Sequence, residues 1–213
     1  MNPGYLSLLL IAMTLILLAS GWKDVLVRGI SHKAILLFFV LWLGTSKIVI
    51  PFGSWRIYGC ACVAVVISAA VIAKTESFML QCHLVSVGLL LGSIYFFLQE
   101  ASHLIPAMMA HPDLNSSLLV GFSAFLMTRL PLVQAACVSV GLLLGDAYSV
   151  YVHSPEGFPA VIGGPRFQDR WWLALWMARG SSVVWQGVCA GGRSAARYWA
   201  GRRKEGADDR MGD

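Results

Sequence analysis

Residues 114 to 152 are apolar almost without interruption, with Arg129 and Asp146 as the charged side chains among them. A single helix over that length would run about 58 Å, roughly twice the hydrocarbon thickness of a bilayer. Arg129-Leu-Pro131 supplies both a charge and a helix breaker, so the stretch divides into one span at about 114 to 128 and another at about 131 to 151, joined as a tight antiparallel hairpin.

The preceding sequence shows the same habit. Apolar runs at about 5 to 22, 34 to 50, 57 to 73 and 78 to 98 are separated by short polar turns. Hydrophobic residues make up 57% of the chain and charged residues 13%, against roughly 25% charged in a soluble domain. A chain of this size has no soluble core large enough to hide that surface, so the expected solvent is the lipid bilayer. Met1-Asn-Pro-Gly4 carries no basic residue, and the first run therefore reads as an uncleaved span. The five cysteines form no regular framework; they read as small packing residues.

Ser86-Val-Gly-Leu-Leu-Leu-Gly-Ser-Ile-Tyr95 recurs as Ser139-Val-Gly-Leu-Leu-Leu-Gly-Asp-Ala-Tyr148, 53 residues later. Gln81/Gln134 and Val85/Val138 match at the same offset. The spacing predicts an internal helical-hairpin repeat, about 57–98 and 114–151. Glycines four apart share a helix face and admit a second backbone, so Gly88, Gly92, Gly141 and Gly145 are expected at helix-packing contacts.

The organisation expected is all-α: a six-span transmembrane bundle over 1–152, then a C-terminal part over 153–213. That part begins with a Gly/Pro linker, continues as a Trp/Arg-rich interfacial amphipathic helix, and ends in a basic tail. Trp171, Trp172 and Trp176 beside Arg170 and Arg179 suit the headgroup level, where aromatic rings and snorkelling cations are both accommodated. Arg193, Arg197, Arg202, Arg203 and Lys204 would draw the tail to anionic lipid at about 1 kcal/mol per charge. No nucleic-acid-binding pattern accompanies these charges.

The alternative is a seventh span over 171 to 192, with Arg179 inside it at a cost of about 2.5–3.5 kcal/mol. Six spans divide the loop Lys and Arg residues five against four and leave orientation open. Seven divide them ten against four, with the N-terminus outside.

Spans two, four and six end on the same side, so Lys47, Glu100, His103, Asp146 and His153 share one membrane face. Asp146 replaces Ser93 of the other copy and is the leading intramembrane polar candidate, with Lys47 as its expected partner. His83 aligns with Ala136, so the repeat does not require it. Glu100-x-x-His103 is a single metal-type pair where di-iron bundles need two. No metal or cofactor is expected. Nucleophile elbows, phosphate loops and zinc-protease motifs are absent from the sequence, and no catalytic residues are assigned.

Gly163-Gly-Pro165, Phe167-Gln-Asp-Arg-Trp-Trp172 and the N-terminal layout with Gly21-Trp-Lys-Asp24 resemble the YphA-type multi-pass membrane proteins of endospore-forming Gram-positive bacteria. The resemblance implies a cell-membrane location and supplies no activity. The expected role is that of a non-enzymatic multi-pass protein, structural or docking through its C-terminal segment on lipid, a membrane-protein partner or a second copy. The competing expectation is a small-solute or ion transporter using Asp146 and Lys47.

Overall fold

The computed structural model describes residues 2–27, 29–53, 55–104, 112–153 and 160–208, with side chains described as far as Arg193 and not at His103. Among these residues the order is α1 (Tyr5–Ala19), α2 (Lys23–Leu26), α3 (His32–Thr45), β1 (Val49–Phe52), β2 (Trp55–Tyr58), α4 (Gly59–Lys74), α5 (Phe78–Leu104), α6 (Pro112–Met127), α7 (Pro131–His153), β3 (Ala160–Ile162) and α8 (Pro165–Asp208). The linker at 154–159 and the side chains of Arg197, Arg202, Arg203 and Lys204 lie outside the described residues.

Prolines open α6, α7 and α8, where their fixed φ suits a first helical turn and the missing N–H costs nothing. Ser31 caps α3 by accepting from the Ala34 N–H at 3.3 Å. The cap of α1 comes from far along the chain. Asp169, the fifth residue of α8, accepts from the Gly4 N–H at 2.7 Å and the Ser7 N–H at 2.6 Å, satisfying two orphan donors of α1 with a charge favoured at that end of the helix.

The helical architecture expected from the sequence also carries one small sheet of three short strands. β1 pairs antiparallel with β2, and β2 pairs parallel with β3. The turn between β1 and β2 contains Gly53 at φ +63°, a left-handed conformation that glycine adopts without penalty. Pro51-Phe-Gly53 therefore opens a hairpin, where the sequence reading used it only to close a span.

At the centre α5 packs along α7. A Cβ at Gly88 would fall 2.6 Å from Val140 Cγ1, one at Gly92 3.0 Å from the Gly141 carbonyl, one at Gly141 2.7 Å from Leu91 Cβ, and one at Gly145 on the Tyr95 ring. Contacts advance together along both helices, so they run parallel. α6 packs along α8, where a Cβ at Gly121 would strike the Ala174 carbonyl.

The C-terminal segment is the largest correction. Trp171 and Trp172 are 1% and 2% exposed, and α8 is packed among α1, α6 and α7. Their rings meet an aromatic cluster on α3: the centroids of Trp42 and Trp171 lie 4.4 Å apart, and Phe39 stacks on Trp172 at 5.9 Å. The Trp171 indole N–H donates to Ser139 Oγ at 2.8 Å. These tryptophans are core residues, not interfacial anchors. The helical-wheel reading had no way to know that a groove between other helices would accept them.

Candidate functional site

The C-terminal half of α5, the start of α6, the C-terminal half of α7 and the start of α8 meet at one end of the bundle. Five polar side chains converge there. Arg170 of α8 donates to Asp113 of α6 from Nε at 3.0 Å and also from Nη2. Its Nη1 lies 3.6 Å from Asp146 Oδ1 on α7 and donates to the Tyr95 hydroxyl on α5. Tyr95 donates in turn to Asp146 Oδ1 at 3.2 Å. Gln99, one turn further along α5, places its amide against the same groups: with the oxygen assigned to the guanidinium side, the orientation that satisfies its neighbours, it accepts from Arg170 Nη1 at 2.6 Å and Nη2 at 3.1 Å. The Gly163 N–H also serves the Asp146 carboxylate.

One guanidinium is thus shared by two carboxylates from different helices, with a phenol and an amide completing its shell. The planar fork of Arg suits such multiple recognition in a way an ammonium does not. Tyr95 is fully buried and the Arg170 and Asp146 side chains are largely so, whereas Asp113 remains about half exposed. The cluster therefore reaches from the core to the surface. Beside it, Glu100 Oε1 stands 3.7 Å from His153 Nε2.

The partner expected for Asp146 is corrected: Arg170 holds it, while Lys47 is exposed in the turn after α3. Side-chain reach from the sequence could not choose between the two cations. His83 is exposed on α5. Trp176 is half-buried and donates its indole N–H to Thr14 Oγ1 on α1 at 3.0 Å.

Arg179 lies at the other end of the α7–α8 interface, 9% exposed. It donates to Gln134 Oε1 at 3.3 Å and to the Val25 carbonyl at 2.9 Å. Among the described residues no carboxylate lies within ion-pair distance of it, and its Nε–H has no hydrogen-bond acceptor. Gln134, fully buried, also donates to the Thr128 carbonyl at 2.7 Å and to Ser182 Oγ at 2.8 Å.

The sequence reading did not assign Tyr95, Gln99, Asp113 or Gln134 to a site. A signal existed for two of them, since Gln134 and Tyr95 belong to the matched positions of the repeat. Asp113 and Arg170 are 57 residues apart, with no pattern linking them.

Small residues fill the helix contacts, among them Ala64, Ala124, Ala136, Ala174 and Ala178, all fully buried. Large apolar side chains such as Leu36, Val66, Phe97 and Leu126 face outward. α5 and α7 are long and apolar enough to cross a bilayer. Close-packed small residues inside and bulky apolar residues outside are the arrangement of a helical protein dissolved in lipid, and the class is that of an integral membrane protein. More particularly, the chain belongs to the YphA-like integral membrane proteins, whose family model matches residues 27–204. No curated protein and no solved structure matches it.

Proposed function

We propose that this chain is a multi-pass protein of the cell membrane that crosses seven times, through α1, α3, α4, α5, α6, α7 and the first part of α8, with its N-terminus outside. Helix directions support this. α1 and α8 run together, from Gly4 beside Asp169 to Thr14 beside Trp176, and α7 runs against α8, from Asp146 beside Arg170 to Gln134 beside Ser182.

α1, α3, α4 and α6 contain 15, 14, 16 and 16 residues, or about 21–24 Å each. Thinning of the bilayer and flanking polar residues accommodate such lengths. Seven crossings gather Lys23, Arg28, Lys33, Lys74, Arg129 and the five basic residues from Arg193 to Lys204 on one side, and leave Lys47, Arg56, Arg166 and Arg170 on the other. Ten against four satisfies the positive-inside rule. The hairpins α4–α5 and α6–α7 then form the duplicated unit.

Within that frame we infer a non-enzymatic role in moving a small ion or solute, worked by the cluster at the outer end of α5 to α8. The observation that carries it is Arg170 shared between Asp113 and Asp146. A proton or cation arriving from outside neutralises one carboxylate, weakens its hold on the guanidinium, and loosens the contact of α8 with α6 or α7. Ionisable groups inside a bundle are costly unless used.

The test is gradient-driven flux into vesicles holding the purified chain, followed with entrapped pH- and cation-sensitive dyes. Asp146→Asn abolishes flux while insertion stays normal; unchanged flux refutes the carrier role. Topology reporters near Gly163 and after Asp213 report opposite sides for seven spans and the same side for six.

A second reading, docking on a membrane-protein partner or a second copy, rests on the distal part of α8. That helix has 44 residues and is about 66 Å long, more than a bilayer needs. Val184, Trp185 and Val188 on it are each more than half exposed, ahead of the basic tail.

A further inference from the structure

α1 and α3 are joined through the single turn of α2 yet do not close on each other. α1 packs against α8, and α3 packs against α4 and through its aromatic rings against Trp171 and Trp172. A groove of about 360 Å³ remains between them, and a second hollow adjoins it over the same face of α3. Leu18, Leu36 and Val40 wall the groove. Lys23 and His32 stand at its α2 end, with Lys33 lining the adjoining hollow.

We propose that this groove is a binding site for an anionic glycerophospholipid of the inner leaflet, with one acyl chain between α1 and α3 and the phosphate at Lys23, His32 and Lys33. The proposal rests on the seven-span reading for its leaflet. Two observations favour this occupant.

The first is charge. His32 and Lys33 occupy the opening turn of α3, which carries no acidic residue. That end of a helix is already positive, so cations there raise the local potential and an anion relieves it. Asp24 on α2 is exposed.

The second is length. From His32 to Leu43, the last α3 residue of the groove, the helix rises about 16 Å, close to half of a ~30 Å hydrocarbon core. An acyl chain of one leaflet fills that depth with its headgroup at the basic rim.

The experiment uses the full chain, purified in detergent and stripped of lipid. It is offered phosphatidylglycerol or phosphatidylcholine with identical chains, and retained lipid is counted by native mass spectrometry. The expected result is at least tenfold better retention of phosphatidylglycerol. Lys23→Ala with Lys33→Ala lowers that retention to the phosphatidylcholine level, and Val40→Trp, which fills the groove, lowers retention of both lipids. Glycerol phosphate without chains does not compete. Unchanged unfolding temperatures show that the variants fold.

Equal retention of the two lipids, indifference to the double substitution, displacement by chainless glycerol phosphate, or a lipid-free dimer that covers α3 would each overturn the proposal. If topology reporters gave six spans while lipid retention behaved as expected, the seven-span reading would fail and the lipid site would stand.

Discussion

Gln134 Nε2 donates to the Thr128 carbonyl at 2.7 Å, across the break between α6 and α7. Gln81 makes the same bond to the Thr75 carbonyl at 2.7 Å, across the break between α4 and α5. In each case the threonine hydroxyl turns back to the carbonyl four residues earlier, Ala124 or Val71. Thr75 and Thr128 are 53 positions apart, like the two glutamines. The last carbonyls of a helix have no donor within their own helix, and here the first turn of the next helix supplies one.

The two bonds differ in what else depends on them. Gln134 also holds Ser182 and Arg179, whereas Gln81 is half-buried and donates to the Thr75 and Ile72 carbonyls. Gln134→Leu should therefore destabilise the folded chain by about 2 kcal/mol or more, because it also takes one of two acceptors from a buried guanidinium. Gln81→Leu should cost about 0.6–1 kcal/mol. Unfolding in detergent, followed by circular dichroism against denaturant, checks the ranking.

Glycines along α5, α7 and α8 should respond oppositely to enlargement. Gly145→Leu pushes a side chain into the Tyr95 ring and should cost about 1–3 kcal/mol or more by overpacking. At Gly180 nothing lies within 4 Å of an added Cβ, so Gly180→Ala should be neutral or gain about 0.5–1 kcal/mol from helix propensity. Thermal-shift measurements on the two purified variants separate these outcomes.

Removing Arg170 strands Asp146 in the interior. Arg170→Ala should cost about 3–5 kcal/mol, the penalty of breaking a buried pair on one side. Adding Asp146→Ala should cost less than the sum of the single substitutions, because the stranded charge goes too. A double-mutant cycle on unfolding free energy measures this coupling, and strict additivity would show that the two groups act independently.

Tryptophans should divide into two populations. Trp171→Ala removes a fully buried indole and its bond to Ser139, for about 3–5 kcal/mol. Trp185→Ala, at 54% exposure, should change stability little. Single-Trp variants in vesicles with quencher-bearing lipids should show strong quenching at Trp185 and weak quenching at Trp171.

The sequence by itself determined the solvent and the punctuation. Apolar runs of bilayer length and the break at Arg129-Leu-Pro131 carry local signals, because the free energy of a residue in lipid depends first on its own polarity. The 53-residue offset identified the glycines that meet where α5 crosses α7, since close backbone approach excludes side chains whatever surrounds them.

The tertiary structure decided what α8 is. Trp171, Trp172 and Arg179 have the composition of an interfacial helix, and only the space left among α1, α3, α6 and α7 makes them core residues. It also chose Arg170 over Lys47 for Asp146, and brought in Asp113 from 57 residues away. Charge pairing inside a bundle depends on helix rotation and on which helices are neighbours. Those quantities arise from packing of the whole chain, and no local window contains them.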